Sequence, residues 1–423
     1  MQVHQSSQHI QSFGGINFLY ETLKQTGFHR QVQEQLGSRT PGAQYRYSDI
    51  LQQLFFIVSI GGDCLDDTLT LQQQLQDHPH LRIASADTIE YAFQELRQKN
   101  IIQQTANDIT HTINEHEKFN QLLPRLCMAS GLLNSEKAYV MDYDGHIVKN
   151  TKPDNAFTYK KNEGYYPVLC SINKLPVYMQ NRNGNTPENY QLLPVVQKAM
   201  ETCHTENIQV SCLRGDASCY QADLIHYLDA QQKGYCIRAE MNEGLHIALQ
   251  DERDWQAIIL NHQKLEVCSI TENIFGVQRR IVGYRKKVTG QLKMHQADGY
   301  DYHAILTSDK SSNAKSIIEF YNQRGCQGEH HFKELDYDFC WRKLPFDNME
   351  MNTIYMYSML VAYVLFNAAK KAYAPKLKEV NTSMQLKNFI LHFVTLPAKW
   401  IYKGRQWILK IFTLKDYSAV LQT

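Results

Sequence analysis

The ten cysteines of this 423-residue chain form no Cys-x-x-Cys pair and follow no regular spacing, so no disulfide framework is indicated. The first residues lack the apolar core of a signal peptide, and we therefore expect a reduced, cytoplasmic protein. The longest apolar run, residues 355–369, is shorter than the roughly 20 residues that a membrane span needs, so it predicts a buried helix and no membrane partner. No P-loop or Gly-x-Gly-x-x-Gly sequence occurs, and binding of ATP or a dinucleotide has no support.

Neither sign of charge dominates the chain, because 44 Lys and Arg residues stand against 43 Asp and Glu residues. The net charge of +1 gives no indication of a nucleic-acid or membrane partner, so any basic surface must be local. One local concentration of positive charge begins at residue 370, with two interleaved tryptophans. Its basic residues are Lys370, Lys371, Lys376, Lys378, Lys387, Lys399, Lys403, Arg405, Lys410 and Lys415, and the tryptophans are Trp400 and Trp407.

The hydrophobic periodicity divides the chain into five regions. Residues 1–130 carry apolar residues at helical spacing, and strands alternate with helices over 136–239, which favours a mixed α/β core. Residues 240–300 predict strands without crossover helices, a β-rich insertion, and the α/β pattern resumes over 301–369. The basic segment 370–423 is predicted to be helical.

Two carboxylates stand out in the β-leaning stretch AYVMDYDGHIV. Asp142 and Asp144 are two residues apart, so a strand would place both on the same side of the sheet. Like charges in a half-buried strand are unfavourable unless a cation lies beside them. The stretch therefore predicts a cation, either a side chain or a metal ion.

Two later segments offer further groups for such a site. Asp216 follows a predicted strand and precedes a helix, where α/β sheets bind ligands, although a turn or helix-start Asp is an equally good interpretation. Tyr321 and Arg324 lie three residues apart on a predicted helix that Glu329 also joins, and a solvated ion pair is the alternative there. Two Asp and one Glu would form a hard-oxygen cage for two Mg²⁺ ions, or Mn²⁺ in their place.

Several stretches together carry a family resemblance. In order they are SADTIEYAFQEL, MDYDGHIV, GYYPVLCSI with NRNGNTPEN, LRGDASCYQADLI, and YNQRG followed by Glu329 and DFCWRKLPF. The chain resembles the DDE transposases of bacterial insertion sequences, which have an RNase-H-like catalytic core, and more narrowly the insertion-sequence family numbered thirteen-eighty. The resemblance covers residues from about 10 to about 370, and YNQRG followed closely by Glu is its most specific element.

The resemblance implies roles for individual residues. Asp144, Asp216 and Glu329 would be catalytic and hold the metal ions, with Asp142 as the fallback for the first ligand. Tyr321 and Arg324 would contact DNA phosphates. The sequence departs from the family at two places, since the expected Glu position holds Gly328 and the expected lysine position holds Asp336. Lys333 or Arg342 would substitute for that lysine.

A basic strand within the predicted β-rich insertion, GVQRRIVGYRKK, offers a second contact with DNA. Its phosphate-binding candidates are Arg279, Arg280, Arg285, Lys286 and Lys287. A solvated strand face is an equally good interpretation of this pattern.

The function that the resemblance implies is cut-and-paste transposition. The helical N-terminal region would recognise terminal inverted repeats in double-stranded DNA, and a homodimer would assemble on the paired ends. Water would attack one strand, the freed 3′-hydroxyl would form a hairpin, and after reopening it would attack target DNA. The alternatives are a DNA-binding protein of transposase descent whose catalysis has lapsed, and a metal-dependent DNA nuclease without strand transfer.

Overall fold

The computed structural model describes residues 1–4, 8–260, 262–288 and 298–421; of residues 325–330 and 421 it describes the backbone alone. The α-helices, numbered in chain order, are α1 Ile16–Gln25, α2 Phe28–Leu36, α3 Tyr47–Ser59, α4 Thr68–Leu75, α5 Ala86–Leu96, α6 Glu117–Ala129, α7 Leu192–Thr205, α8 Ala222–Ala230, α9 Glu243–Asp251, α10 Ala314–Tyr337, α11 Met349–Tyr373, α12 Leu386–Phe389 and α13 Ser418–Leu421. Short 3₁₀ turns cover Leu65–Asp67 and Ala217–Cys219, and a π-helical turn covers Ile390–Val394.

The strands are β1 Ile101–Gln104, β2 Thr110–Asn114, β3 Ala138–Gly145, β4 Val148–Lys149, β5 Ala156–Phe157, β6 Glu163–Tyr165, β7 Val168–Ile172, β8 Leu175–Arg182, β9 Gln209–Gly215, β10 Gly234–Arg238, β11 Gln256–Leu260, β12 Gln263–Ile274, β13 Val277–Lys287, β14 Tyr300–Thr307, β15 Ala398–Lys403 and β16 Gln406–Ile411. An eleven-stranded sheet has the order β1-β2-β8-β7-β3-β9-β10-β14-β13-β12-β11. Smaller sheets are formed by β4-β6-β5 and by β15-β16.

The centre of the large sheet has the strand arrangement that the family resemblance implies. Counted from β3, the strands β3, β7, β8, β9 and β10 stand in the spatial order 3-2-1-4-5. The second strand is antiparallel to both neighbours, whereas the first, fourth and fifth are parallel. This is the strand order of an RNase-H-like core, and the mixed α/β class is confirmed. Parallel β3 and β9 end at the same edge, which brings Asp144 and Asp216 together.

Polar residues at helix starts explain where several helices begin. The side chain of Ser85 accepts a hydrogen bond from Thr88 N at the start of α5. Asn313 and Asn348 make the same kind of bond at the starts of α10 and α11. Each cap satisfies an amide that the helix itself leaves unpaired.

The longest apolar run forms most of α11, as predicted, and this helix is the centre of the helical layer. Nearly all of its side chains are buried, and it packs against α3, α6 and β8. Among the described residues, no helix combines the length and apolar character that crossing a bilayer requires.

Two regions differ from the helical prediction. Residues 101–114 were expected to continue the N-terminal helices, but they form the hairpin β1–β2, which joins the edge of the large sheet at β8. The β-branched residues of these strands favour pairing, and Asp108 at φ +57° makes the turn. The region 370–423 was expected to be helical, but its residues 398–411 form β15 and β16 around Gly404.

The predicted β-rich insertion is present, and it enlarges the central sheet. After α9, the strands β11, β12 and β13 continue the sheet beyond β14 through antiparallel pairs. The insertion therefore shares hydrogen bonds with the core strands.

Candidate active site

Asp142 is held by a cation from the neighbouring strand. Parallel pairing sets Asp142 directly beside Arg214, whose Nε and Nη2 donate to its two carboxylate oxygens at 2.7 and 2.9 Å. The Arg214 guanidinium also lies over the Phe320 ring and donates to the Phe320 carbonyl at 2.7 Å. Because Asp142 is 6% exposed and both of its carboxylate oxygens accept hydrogen bonds from Arg214, this carboxylate has a structural role.

Asp144, one step further along the same strand face, has a different partner. Its Oδ1 lies 2.9 Å from Nη2 of Arg324, which α10 extends across the edge of the sheet. The same Nη2 lies 3.6 Å from Oδ2 of Asp216 and donates to the Tyr143 carbonyl at 3.2 Å. The Asp144 side chain keeps 28% of its surface exposed. One guanidinium therefore faces two carboxylates that remain partly exposed.

Asp216 fulfils both of the interpretations that its sequence position offered. Its Oδ1 accepts hydrogen bonds from the backbone N and the Oγ of Ser218, at 2.9 and 2.6 Å, and so caps the 3₁₀ turn. Its Oδ2 is the oxygen that faces Arg324. The turn thus fixes the carboxylate while leaving one oxygen for the cluster.

A third carboxylate, which the sequence interpretation did not single out, completes the cluster. Asp144, Glu188 and Asp216 each place one oxygen within 4.8 Å of the others. Glu188 follows β8 in the loop NGNTPEN, and its oxygens accept hydrogen bonds from Gly145 N at 2.8 Å and Tyr166 Oη at 2.9 Å. A Cβ at position 145 would lie 2.8–3.0 Å from Tyr166 and Glu188, so this close approach requires glycine.

The loop that carries Glu188 is itself anchored. The Glu188 carbonyl accepts hydrogen bonds from Tyr143 Oη at 2.7 Å and from Arg182 Nη1 at 3.1 Å. The signal that could have pointed to Glu188 was an acid just beyond the end of a strand, in an Asn- and Gly-rich loop. That loop was part of the family resemblance, but its acid had no role in it.

Burial and mutual repulsion weaken the acidity of the cluster. Burial raises the pKa of Asp144 to about 6, with Arg324 opposing the shift and Asp216 adding to it. Burial, followed by the charges of Asp216 and Asp144, raises the pKa of Glu188 to about 7. Three carboxylates against one guanidinium leave an excess of negative charge, and hard oxygen donors of this kind suit Mg²⁺ or Mn²⁺.

Comparisons with known proteins identify the family of the chain. A family model described as "Transposase DDE domain group 1" matches residues 1–423. The chain belongs to this family. Among solved structures, a cryo-EM structure of piggyBac transposase in a synaptic complex with hairpin DNA is similar at 11% identity and a TM-score of 0.41, over 90% of this chain and 78% of that chain. None of the curated proteins searched matches the chain.

Helix α10 of this DDE-family chain carries the other predicted site residues. Tyr321 lies one turn before Arg324 and is partly buried, and this burial raises its pKa to about 12. Lys333 is exposed, one turn before the end of the helix. The predicted ligand Glu329 lies outside the described side chains, so its part in the site stays a prediction.

Most of the arginines and lysines proposed to bind phosphates on the basic strand β13 have partners within the chain. Arg279 is 6% exposed, its Nη1 pairs with Asp229, and it donates to Tyr235 Oη at 2.9 Å, so the prediction that Arg279 contacts DNA is not supported. Three of the other four candidates also have partners within the chain, and Lys287 is exposed. Arg280 donates to Ser269 and the Asp309 carbonyl, Arg285 pairs with Glu266 and lies over Trp255 and Tyr300, and Lys286 lies 3.6 Å from Asp301.

Asp336, which holds the lysine position of the family pattern, is in contact with His146, the first residue after β3. His146 Nε2 lies 2.9 Å from Asp336 Oδ1, and the His146 ring stacks on Phe332 at 4.5 Å and 9°. The other oxygen of Asp336 accepts a hydrogen bond from Arg342 Nε at 2.9 Å. These contacts join α10 to the chain just after β3.

Proposed function

We propose that this DDE-family chain is an active transposase that cuts DNA at element ends and joins the 3′-hydroxyls to target DNA. The observation that carries the proposal is the convergence of Asp144, Glu188 and Asp216, from three separate segments, beside Arg324. Such a cluster of half-buried carboxylates is unfavourable by itself, so it favours a role as a metal site.

The carboxylates fit the divalent ions that the family uses. Asp144, Glu188 and Asp216 present only hard oxygen donors. Burial, with the charges of the neighbouring carboxylates, raises the pKa values of Asp144 and Glu188, so a bound cation would stabilise their ionised forms. Two Mg²⁺ ions, or Mn²⁺ in their place, would supply activation of the attacking oxygen and neutralisation of the leaving oxygen. Asp142 is not among the proposed ligands because Arg214 occupies both of its oxygens.

Arg324 has two roles in this proposal. As the chain stands, its Nη2 neutralises Asp144 and Asp216. Its Nε is buried and has no hydrogen-bond partner among the described residues, which leaves one donor for a phosphate oxygen. When Asp144 and Asp216 hold metal, the Arg324 guanidinium would be available to bind a phosphate of the DNA backbone. The family resemblance implies the same role for this position.

The DNA would enter through the open space beside the cluster. A cavity of about 580 Å³ is lined by Glu188, Asp216 and three aromatic residues, among others. The aromatic residues are Phe157, Tyr159 and Tyr166. Water would attack the phosphodiester at the element end and release the 3′-hydroxyl of the element. This hydroxyl would attack the phosphodiester of the opposite strand and release the 3′-oxygen of the flanking DNA, which leaves a hairpin on the element. A second water would reopen the hairpin, and the 3′-hydroxyl would then attack target DNA and release a 3′-oxygen of the target strand. A homodimer on paired ends would carry out these steps in synchrony.

The family resemblance assigns the third ligand to Glu329, whereas the described geometry offers Glu188. We propose that Glu188 belongs to the metal-holding set, with Glu329 retained as the predicted ligand from α10. The finer assignment to the insertion-sequence family numbered thirteen-eighty predicts imperfect inverted repeats in the DNA that flanks the reading frame.

A nicking and joining assay tests the function. The full chain is incubated with Mg²⁺ and a duplex that carries the DNA flanking its reading frame. We expect Asp216→Asn to reduce nicking on the order of 10³–10⁴-fold while DNA binding is retained. Glu188→Gln should reduce nicking by roughly 10–100-fold, and Glu201→Gln, at an exposed glutamate outside the cluster, should have no effect.

The assay also separates the alternatives. A protein that binds the duplex but never nicks it is a DNA-binding protein with lapsed catalysis. A protein that nicks the duplex but does not join a precleaved 3′-end to target DNA is a nuclease. If Glu188→Gln cuts at the wild-type rate and Glu329→Gln does not, Glu188 is removed from the ligand set.

A further inference from the structure

The hairpin formed by β15 and β16, residues 398–411, carries basic and aromatic side chains that the proposed reaction does not use. We call it the basic hairpin. Its strands form a two-stranded sheet of their own, and backbone hydrogen bonds of 2.8 and 2.9 Å join Gln11 to Ala398 at its base. Trp400 fixes one face, because its Nε1 donates to Asn17 at 3.0 Å and its ring packs on His78 at 5.1 Å. The hairpin therefore has a firm base.

The tip of the basic hairpin presents cations and rings to solvent. Gly404 and Arg405 have φ of +62° and +63°, which is the two-residue turn that matches the twist of paired strands. This turn places Lys403 and Arg405 at the end of the hairpin. Directly behind them, Tyr402 and Trp407 face each other with ring centroids 5.2 Å apart and exposures of 62% and 47%.

The charges of the basic hairpin are not balanced within the chain. Residues 380–415 contain no Asp or Glu. Lys399 and Lys410 stand directly opposite each other in the strand register, an arrangement of like charges that destabilises a sheet. In the described part of the chain, the ion pairs include none with Lys403, Arg405 or Lys410. An anionic partner would remove this repulsion.

We infer that the basic hairpin is a DNA-binding element that lies in a groove of double-stranded DNA. A two-stranded β-ribbon fits the major groove, where Lys403, Arg405 and Lys410 would bind phosphates. Tyr402 and Trp407 would pack against the sugars and base edges. The inference rests on the proposed function for the identity of the partner, the DNA of the element ends, but it does not depend on catalysis.

The test measures DNA binding without divalent metal, so that cutting plays no part. The full chain is compared with the triple variant Lys403→Gln, Arg405→Asn, Lys410→Gln, in which Asn retains the left-handed turn. We expect affinity for the flanking duplex to fall by about tenfold or more, and the slope of log affinity against log salt to fall by about 2–3, at roughly 0.9 per lost phosphate contact. The matched control replaces three exposed lysines elsewhere, Lys137, Lys264 and Lys310, with Gln, and should leave both values close to those of the unaltered protein.

A second measurement does not depend on the triple variant. DNA should quench the tryptophan fluorescence of the unaltered protein more than that of Trp407→Phe. Unchanged affinity and salt slope in a folded triple variant, or equal quenching with and without Trp407, would overturn the inference. A triple variant that loses dimer but retains DNA affinity would instead make the basic hairpin a contact between copies of the chain. If the unaltered protein binds no DNA, the proposed function itself fails.

Discussion

Asp142 and Asp144 lie two residues apart on one face of β3, yet they differ in exposure and in the way that they are bonded to arginine. Asp142 is 6% exposed and forms two hydrogen bonds with one arginine from the adjacent strand. Asp144 keeps 28% of its side chain exposed and shares one nitrogen of Arg324 with Asp216. The sequence spacing alone does not distinguish the two carboxylates.

The comparison shows what separates a structural carboxylate from a metal-binding one. Arg214 saturates Asp142 because strand register places both groups side by side. Arg324 reaches Asp144 from a helix, and its single positive charge faces three carboxylates once Glu188 is included. A carboxylate with its own buried arginine has nothing left to offer a metal ion, whereas an undercompensated cluster favours binding of a further cation.

The largest expected effect is the loss of nicking when the Asp144 carboxylate is removed. Asp144→Asn should reduce Mg²⁺-dependent nicking on the order of 10³–10⁴-fold with little loss of stability, since it removes a metal ligand. Nicking rates and urea unfolding, measured on the same preparations, check both parts. Similar nicking rates for Asp144→Asn and the unaltered protein would contradict the assignment.

The opposite result is expected for Asp142. Asp142→Ala leaves Arg214 buried without its counter-ion and should lower the free energy of unfolding by about 3–5 kcal/mol. The double variant Asp142→Leu, Arg214→Met removes both charges and should recover most of that loss, as measured by urea unfolding. A single variant of full stability would show that the pair is unimportant.

Stabilisation by Mg²⁺ should depend on pH. The raised pKa values of Asp144, about 6, and Glu188, about 7, mean that the folded, metal-free protein holds protons more tightly than the unfolded chain. Its stability should therefore fall as pH rises from about 4 to about 7. Mg²⁺ must displace these protons, so the increase in Tm that it causes should be larger at pH 8 than at pH 5.5. A Tm increase that is the same at both pH values would contradict the cluster as the site.

The smallest effect is expected at the contact between His146 and Asp336. Because it positions α10 relative to the end of β3, His146→Gln and Asp336→Asn should each slow nicking by a few-fold. The double variant should be no slower than the worse single variant, which for few-fold effects corresponds to a coupling of roughly 0.5–1 kcal/mol. Rates that multiply in the double variant would show that the two residues act independently.

Local patterns in the sequence predicted the class of fold and part of the site. Asp144 lies near the end of one predicted strand and Asp216 follows another, and Arg324 lies on a predicted helix. The structure places these three residues, which the sequence had singled out, at the same edge of the sheet. The buried helix α11 was also predictable, because its apolar run is too long for a strand and too short for a membrane span.

The remaining features depend on contacts that a single sequence does not display. Glu188 lies in a loop without periodicity, and only the approach of Gly145 and Tyr166 fixes its carboxylate. The partners of Arg279 and Arg285 come from other strands or from α8, so their pairing could not be read from the charge pattern. Residues 398–411 lie in a region predicted to be helical, and the pairing of β15 with β16 across the turn at Gly404 was not predicted.

The most direct test of the account is the location of bound Mn²⁺ in crystals of the full chain, measured by anomalous diffraction at the manganese edge. We predict a peak between the carboxylates of Asp144, Asp216 and Glu188, with Asp142 still bonded to Arg214. A peak that involves Asp142, or a structure with Mn²⁺ bound only outside this cluster, would contradict it.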